Sequence, residues 1–415
     1  MTMSDEIFDC LVVGGGPAGA TAANDLALAG RKVALLDRAG RIKPCGGAIP
    51  PRAIDMFGVP EDLLVAKIKK ARIISPKHHY VDIPIKGGFV GMVDREDFDE
   101  WLRARACANG AVRLTGTYQS LERDADGIAM VMWRPKAEGH GGRPRRIRAR
   151  TIIGADGARS NVARDAVPGG DSIPYVIAYH EIVRAPRSGC DYEPDRCDVY
   201  YDGRISPDFY GWVFPHGPCA SVGMGTEQDG ISVKGATRDL RVMAGLDRVE
   251  TLRKEGAPIP LQPLKRWDNG RDVVLAGDAA GVVAPSSGEG IFYAMFGGRC
   301  AAQAVDKALA TGRATALAGA RRQFMRTHGG VFWILRKMQD YWYTTDARRE
   351  RFVAICQDVD VQELTFDAYM NKELVKARPL AHARIFWKNV LHLAGLVPAW
   401  GRETARRAEP GGVGT

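Results

Sequence analysis

The residue types that bear most directly on chemistry stand within the first forty residues. Glycines occupy positions 14, 16 and 19, and an acid, Asp37, follows eighteen residues after the last of them. Gly14 can make a tight turn, Gly16 lets the backbone approach a pyrophosphate, and Gly19 lets a helix pack closely against a strand. A carboxylate about 20 residues further on reaches a ribose hydroxyl. The spacing therefore predicts a site for an adenine dinucleotide.

Such a site needs a strand before the glycines and a helix after them. The apolar runs at residues 7–13 and 33–36 predict two strands, and residues 20–28 between them favour a helix. The helix directs its unpaired N–H groups and a partial positive charge at phosphates. Pro17 and Ala18, which stand between the glycines, are predicted to contact the dinucleotide. The order of elements indicates a Rossmann-type α/β fold.

Two later apolar runs also end in glycine-flanked acids. Residues 154–160 contain Asp156, and residues 277–281 contain Asp278. The carboxyl ends of parallel strands meet at one edge of an open sheet, where a cofactor lies. We therefore expect both acids at the same site as Asp37. A further glycine turn leads into a helix predicted from Ile291 to about residue 310.

Composition sets outer limits on the function. The chain has 415 residues, a formal net charge of +9 and eight cysteines. This length predicts more than one domain. The cysteines form no Cys-x-x-Cys pair and no His cluster accompanies them, so we expect reduced thiols, no metal site and a cytoplasmic location. No motif points to nucleic acid. The positive charge suits an anionic membrane or a phosphorylated substrate, although a solubilising surface excess is the simpler interpretation.

Two other stretches are candidates for chemistry. In residues 43–47, two glycines follow Cys45, as if the backbone passes close to a flat group, although an ordinary surface loop also explains them. Tyr210, Trp212 and Phe214 alternate within the β-rich stretch 175–268. Alternating aromatic residues on a strand are usually core residues. They can also line a cavity.

The three strand-and-acid motifs together resemble the flavoprotein hydroxylase superfamily, whose members bind FAD. The resemblance implies that Asp278 contacts the ribitol or ribose of FAD and that Arg95 approaches the phosphates. It also implies that the helix entered at Gly288 and Gly290 points at the flavin pyrimidine, where its dipole stabilises negative charge. The predicted FAD-binding residues are Gly14, Gly16, Pro17, Ala18, Gly19, Asp37, Arg38, Cys45, Gly46, Gly47, Arg95, Asp156, Gly277, Asp278, Gly288, Gly290 and Ile291.

A narrower resemblance follows from two signatures. Residues 43–47 (Lys-Pro-Cys-Gly-Gly) and residues 210–215 (Tyr-x-Trp-x-Phe-Pro) are similar to paired signatures of geranylgeranyl reductases. The C-terminal stretch 352–380 is similar to the branch that serves chlorophyll and bacteriochlorophyll synthesis. Flavin halogenases carry Trp-x-Trp-x-Ile-Pro in a related place, and Tyr210 and Phe214 depart from that pattern.

The resemblance implies reduction of three of the four double bonds of a geranylgeranyl chain to give phytyl. The substrate would be a diphosphate or a pigment ester, with FAD as cofactor and NADPH as electron donor. Isolated alkenes are weak electrophiles, so a proton must arrive as hydride is added, and aromatic faces can ease the transient positive charge. Tyr210, Trp212 and Phe214 would contact substrate. The proton donor stays open between Cys45, Tyr210 and a bound water.

Two other functions compete with this one. An FAD-dependent aromatic hydroxylase would share the FAD motifs and would need oxygen. A non-catalytic, flavin-binding assembly factor for pigment synthesis would sit on the membrane without turning over a prenyl chain.

The predicted domain organisation is an FAD-binding domain over residues 1–320 and a helical region over residues 321–415 with a disordered tail. Substrate-domain segments at about 76–135 and 175–268 interrupt the first domain. In the helical region, Val331, Leu335, Met338 and Trp342 recur at helical spacing beside basic residues. This stripe predicts peripheral attachment to the inner or photosynthetic membrane. The alternative is that it packs on the chain's own core.

Overall fold

The computed structural model describes residues 6–38, 42–136 and 143–363, together with residues 370, 372 and 400. Of the C-terminal stretch 352–380 that resembles the pigment branch, the part beyond residue 363 lies almost wholly outside the described residues. The predicted disordered tail lies outside them as well.

Runs of strands separated by single helices make up residues 7–275, and helices follow from residue 291. The strands are β1 (Ile7–Val13), β2 (Val33–Asp37), β3 (Ala48–Ile49), β4 (Leu64–Ile68), β5 (Lys70–Ile74), β6 (Tyr80–Pro84), β7 (Val90–Val93), β8 (Val112–Arg123), β9 (Ala129–Pro135), β10 (Arg145–Gly154), β11 (Tyr175–Arg184), β12 (Arg196–Tyr200), β13 (Gly211–His216), β14 (Cys219–Thr226), β15 (Thr251–Pro260) and β16 (Val273–Leu275). The α-helices are α1 (Pro17–Leu28), α2 (Pro51–Phe57), α3 (Arg95–Ala108), α4 (Asn161–Ala166), α5 (Val233–Met243), α6 (Ile291–Thr311), α7 (Gly319–Trp342) and α8 (Asp346–Ile355).

The chain divides into two compact units, and the first contains Met1–Lys43, Arg95–Tyr175 and Pro258–Gly329. Its sheet has the parallel order β8–β2–β1–β10–β16. Strand β9 pairs antiparallel with both β8 and β10. Parallel strands buried on both faces read as continuous apolar runs, and β1 is buried from Leu11 to Val13. The predicted Rossmann-type fold class is confirmed.

The unit boundaries differ from those expected from the sequence. The predicted substrate segment 76–135 divides at Arg95. Its second part joins the first unit because residues 112–115 of β8 pair with β2, and β9 then returns to β10. Such long-range strand pairing leaves no local signal in the sequence.

The second unit contains Pro44–Asp94, Val176–Ala257 and Gly330–Thr415. Its main sheet has the order β15–β11–β14–β13–β12–β5–β6, and β3, β7 and β4 form a smaller sheet. Helix α5 covers one face of the main sheet, where Val183, Val213 and Val222 pack with Leu240. Tyr210, Trp212 and Phe214 lie on the opposite face, and we call these three residues the aromatic row.

Helices α7 and α8 confirm the predicted helical character of the C-terminal region. Within the described ranges, no helix combines the length and apolar composition needed to cross a bilayer.

Candidate active site

The glycine turn after β1 is shaped by close backbone contacts. Gly14 has φ of +105°, and a Cβ atom there would overlap the carbonyl oxygen of Ala155. A Cβ atom on Gly19 would overlap the carbonyl oxygen of Gly14. In contrast, no atom beyond the adjoining residues lies within 4 Å of the position that a Cβ on Gly16 would take. The turn is therefore tight on its protein side and open at Gly16.

Helix α1 begins directly behind this opening. Pro17 is its first residue, and Gly16 caps it without a side-chain hydrogen bond. The first N–H groups of a helix have no partners within the helix, so they are available to an anion. Ala18 packs against the turn after β16. A Cβ on Gly277 in this turn would lie 2.6 Å from the Cβ of Ala18. The opening and the helix end together form a cradle of the kind that a pyrophosphate occupies.

Asp37 lies at the edge of this cradle. Its Oδ2 accepts a hydrogen bond of 2.9 Å from the amide of Gly15. Arg103 of α3 donates to the Gly15 carbonyl at 3.2 Å and lies 3.8 Å from the Asp37 carboxylate. Arg103 is far from the glycine motif in sequence and carries no motif of its own, so it could not be predicted from the sequence. Arg38, the next residue after Asp37, is exposed.

Arg95 opens helix α3 and is buried. Its Nε and Nη2 donate to the two carboxylate oxygens of Asp99 at 2.8 and 2.7 Å. This bidentate pair fixes the guanidinium in place. Contact between Arg95 and a phosphate stays a prediction.

Asp156 follows β10 and turns towards helix α4. One carboxylate oxygen accepts from the Ser160 hydroxyl, and the other accepts from the amide of Asn161 at 2.7 Å. Burial raises the pKa of Asp156, and these hydrogen bonds oppose the rise. The observed role of Asp156 is to hold the turn against the start of α4, and its contact with a cofactor stays a prediction.

Asp278 and the start of α6 lie together after β16. The Lys43 ammonium pairs with Oδ2 of Asp278. Its Oδ1 lies 4.0 Å from the position that a Cβ on Gly290 would take. Gly288 has φ of +63° in the turn that leads to Ile291, the first residue of α6. The structure thus brings Asp278 close to the turn at residues 288–290, and its contact with a cofactor stays a prediction.

Glu289 is a second residue that sequence reasoning missed at this helix end. The side chain is buried, and its Oε1 accepts from the Phe292 amide at 3.0 Å. The glutamate therefore takes up one N–H group of the α6 N-terminus.

The aromatic row belongs to the second unit. Ring centroids of Tyr210 and Trp212 are 6.0 Å apart, and those of Trp212 and Phe214 are 6.2 Å apart. Burial raises the pKa of Tyr210, with smaller contributions from Tyr343, Cys197 and Cys45. The phenol therefore gives up its proton less readily than a tyrosine in water.

Residues 44–47 form a loop that contacts strand β13. A Cβ on Gly46 would lie 3.2 Å from the ring of Phe214, so the backbone passes close to this ring, and contact of Gly46 with a cofactor stays a prediction. Gly47 has φ of +70°, and a Cβ there would lie 2.5 Å from the carbonyl oxygen of Val93 and 2.6 Å from Nε2 of His216. Cys45 is half-buried, and its Sγ accepts from the Gly47 amide at 3.4 Å. A place for Cys45 beside a cofactor stays a prediction.

His216 is another residue that the sequence analysis did not single out. It continues the alternation of the aromatic row, and burial lowers its pKa. Residues 46 and 47 of the first signature thus contact Phe214 and His216 of β13 within the second unit.

Comparison with known proteins extends these observations. A family model described as an FAD binding domain matches residues 8–169. The geranylgeranyl diphosphate reductase of Rhodobacter capsulatus is 62% identical over 391 residues, which are 94% of this chain and 98% of the relative. The protein of the same name from Synechocystis is 36% identical over 393 residues, 91% of this chain and 96% of the relative.

Solved structures add a likeness of fold. A geranylgeranyl bacteriochlorophyll reductase-like protein from Thermoplasma acidophilum has a TM-score of 0.78 at 21% identity, over 94% of this chain and 98% of its own. A flavin-dependent brominase has a TM-score of 0.72 at 16% identity, over 94% of this chain and 100% of its own. At such identities the likeness concerns the fold alone, which serves reductases and halogenases equally.

Proposed function

The chain belongs to the geranylgeranyl diphosphate reductase family, and we propose that it is an FAD-dependent reductase that saturates three double bonds of a geranylgeranyl chain to give phytyl. The observation that carries this proposal is the 62% identity to the Rhodobacter capsulatus reductase over 94% of the chain. Supplying the purified protein with geranylgeranyl substrates and identifying the products by mass spectrometry tests it.

The first unit fits an adenine dinucleotide. Its cradle offers open space at Gly16 and the α1 N-terminus for a pyrophosphate, and it offers Asp37 for a ribose. Asp278 is expected to bind the ribitol or ribose of FAD. Lys43, which pairs with the Asp278 carboxylate, would orient it. FAD, when bound, supplies hydride for the reduction.

Each reduced bond also needs one proton, because a C=C bond becomes CH–CH by gaining one hydride and one proton. Cys45 is our preferred donor, since a thiol is a better acid than a buried phenol whose pKa is raised, as that of Tyr210 is. The aromatic row supplies π faces that stabilise positive charge on the alkene. Tyr210, Trp212 and Phe214 are proposed to contact the prenyl chain.

We propose NADPH as the electron donor. The sequence holds a single dinucleotide motif of the Gly14–Gly19 type, and the FAD binding domain contains it. The nicotinamide would then bind transiently during reduction. Stopped-flow mixing of the oxidised holoenzyme with NADPH or NADH tests this proposal, and bleaching by NADPH is the expected result.

The substrate could be geranylgeranyl diphosphate or a geranylgeranyl pigment ester, and different observations support each. The relatives are named for the diphosphate, whereas the resemblance of residues 352–380 to the pigment branch favours a geranylgeranyl pigment ester. Competition between the two compounds at equal concentration gives their ratio of kcat/KM, and we expect the pigment ester to be preferred.

The two alternative functions make different predictions. A hydroxylase would consume oxygen and yield hydroxylated product. An assembly factor would bind flavin and leave both prenyl substrates unchanged. Membership of the reductase family over nearly the whole chain favours neither the hydroxylase nor the assembly factor.

Membrane attachment is a further proposal, and the structure changes the residues that carry it. Val331 and Trp342 of the predicted stripe are buried, each with 8% of its surface exposed. The exposed apolar side chains on α7 are Trp333 and Ile334, at 64% and 36%. Lys337 is exposed one turn further along. We therefore place peripheral contact with an anionic membrane at Trp333 and Ile334.

Liposome flotation tests this assignment. Trp333→Ser should reduce flotation with anionic vesicles, and Val242→Ser, which removes another exposed apolar side chain, should not. Wild-type protein that stays at the bottom at low salt would rule out the attachment.

A further inference from the structure

We propose that Ser221, His180 and Glu255 form a hydrogen-bonded chain that holds the indole of Trp212 in place and polarises it for stabilising positive charge on the substrate. This inference rests on the proposed function, because it assigns positioning residues to the aromatic row.

The chain crosses four adjacent strands on one face of the second unit's sheet. Nε1 of Trp212 on β13 donates to Oγ of Ser221 on β14 at 3.1 Å. Nδ1 of His180 on β11 lies 2.8 Å from the same oxygen, and its Nε2 lies 3.0 Å from Oε2 of Glu255 on β15. The strands β15, β11, β14 and β13 are neighbours in this order.

The donor and acceptor capacities of the groups give the chain one direction. An indole N–H can only donate and a carboxylate can only accept. With a neutral imidazole, Nε2 must therefore carry the proton that faces Glu255, and Nδ1 must accept from the Ser221 hydroxyl. Trp212, Ser221 and His180 then each donate one hydrogen bond towards the Glu255 carboxylate.

Glycine at position 223 makes room for the chain. Residue 223 stands opposite both His180 and Trp212 in the two strand registers. A Cβ there would lie 2.5 Å from the Cβ of His180 and 2.6 Å from Cζ2 of Trp212. Any larger residue would displace the imidazole or the indole.

The face of the aromatic row buries polar groups beside the rings. On the α5 face, Val183, Val213 and Val222 pack in an apolar core, and Glu181 pairs with Arg241 of α5. On the face of the aromatic row, Ser221 and His180 are buried, with 0% and 3% of their surface exposed. Burying polar groups costs free energy unless they are fully hydrogen-bonded. The hydrogen bonds of the chain satisfy Ser221 and His180, and the chain ends at Trp212.

The carboxylate of Glu255, at the end of the chain away from Trp212, is kept ionised. Burial alone would raise the pKa of Glu255, but the hydrogen bond from His180 and the neighbouring charge of Arg253 keep it below its usual value. Arg253 pairs with the other carboxylate oxygen. The carboxylate therefore stays ionised and draws the chain of protons towards itself. An indole whose N–H donates into such a chain has a more electron-rich ring, which binds a cation more strongly.

Kinetics of the FAD-loaded enzyme separate this role from simple packing. Ser221→Ala and Glu255→Gln should each lower kcat by about 3- to 30-fold, the range expected for losing part of a cation–π interaction. KM should stay within about twofold, and FAD content should be unchanged. Ser221→Thr, which keeps the hydroxyl, should restore kcat. Tyr179→Phe is the matched control, because it removes a 3.1 Å hydrogen bond to Glu181 on the opposite face of β11.

Vibrational spectroscopy gives a readout independent of turnover. The indole N–H band of Trp212, isolated as the difference from Trp212→Phe, should shift to a weaker hydrogen bond in Ser221→Ala and stay unchanged in Tyr179→Phe. A shifted band with wild-type kcat would overturn this inference and leave the proposed function intact. Wild-type enzyme without prenyl reduction would overturn the proposed function, and the catalytic role of the chain with it.

Discussion

The backbone of Gly47 passes so close to the imidazole of His216 that a Cβ atom at residue 47 would lie 2.6 Å from Nε2. Residues 44–47 and strand β13 therefore approach each other at a contact that only glycine allows. Burial also lowers the pKa of His216, so the ring is neutral where the loop crosses it.

Gly47→Ala should therefore disturb both segments at once. The added methyl group forces the loop or the imidazole to move, which typically costs about 1–3 kcal/mol of stability. Gly87→Ala is the control, because Gly87 has φ of +69° and nothing within 4 Å of its Cβ position. Thermal unfolding should show a larger fall in Tm for Gly47→Ala, and equal falls would mean that backbone strain alone is at work.

Substitutions in the glycine turn after β1 can distinguish an effect on stability from an effect on FAD binding. Gly16→Ala places its methyl group in open space, so Tm of the apoprotein should change little. Its Kd for FAD should nevertheless rise by about tenfold, since a methyl group keeps the backbone from the pyrophosphate. Gly19→Ala should lower Tm as well, because its methyl group overlaps the Gly14 carbonyl. Unchanged FAD binding in Gly16→Ala would contradict the proposed cradle.

Asp278→Ala should lower FAD occupancy. A hydrogen bond to a charged group contributes about 1.5–3 kcal/mol, and the substitution also leaves the Lys43 ammonium without its carboxylate. Isothermal titration of the apoprotein with FAD measures the loss. Lys43→Met is expected to weaken binding less, because it leaves the carboxylate in place. If Asp278→Ala binds FAD as the wild type does, Asp278 is not a cofactor ligand.

Local patterns in the sequence predicted much of the first unit. The turn with Gly14 and Gly19 could be read because its residues are neighbours in the chain and their spacing fixes the geometry. The same holds for α6, predicted from Ile291 to about residue 310 and observed as Ile291–Thr311.

Contacts between distant segments could not be read in this way. Arg103 reaches Gly15 from a helix 88 positions later. Gly46 meets Phe214 only because β13 passes the loop in the folded unit. The chain from Trp212 to Glu255 depends on the order of four strands, which hydrophobic alternation does not specify. Family resemblance paired the two signatures, and the structure supplies the physical contact between them.

Cys45 is expected to matter for turnover as the proton donor. Cys45→Ala removes the thiol proton, and loss of a general acid typically costs about 100-fold or more in kcat. Cys45→Ser keeps the size of the side chain and makes it a poorer acid. Its kcat should therefore lie between those of the wild type and Cys45→Ala. Cys219→Ser, another half-buried cysteine of the second unit, is the control. Wild-type kcat in both Cys45 variants, with FAD content intact, would exclude the donor role.

The central claim is reduction of a geranylgeranyl chain, and a time course of products tests it most directly. The FAD-loaded protein is incubated anaerobically with NADPH and either geranylgeranyl diphosphate or a geranylgeranyl pigment, and samples are analysed by mass spectrometry. We predict that dihydro and tetrahydro products appear first and that the phytyl product follows, because three bonds must pass one hydride source in turn. Flavin reduction without any change in either prenyl substrate, or hydroxylated products that require oxygen, would contradict the claim.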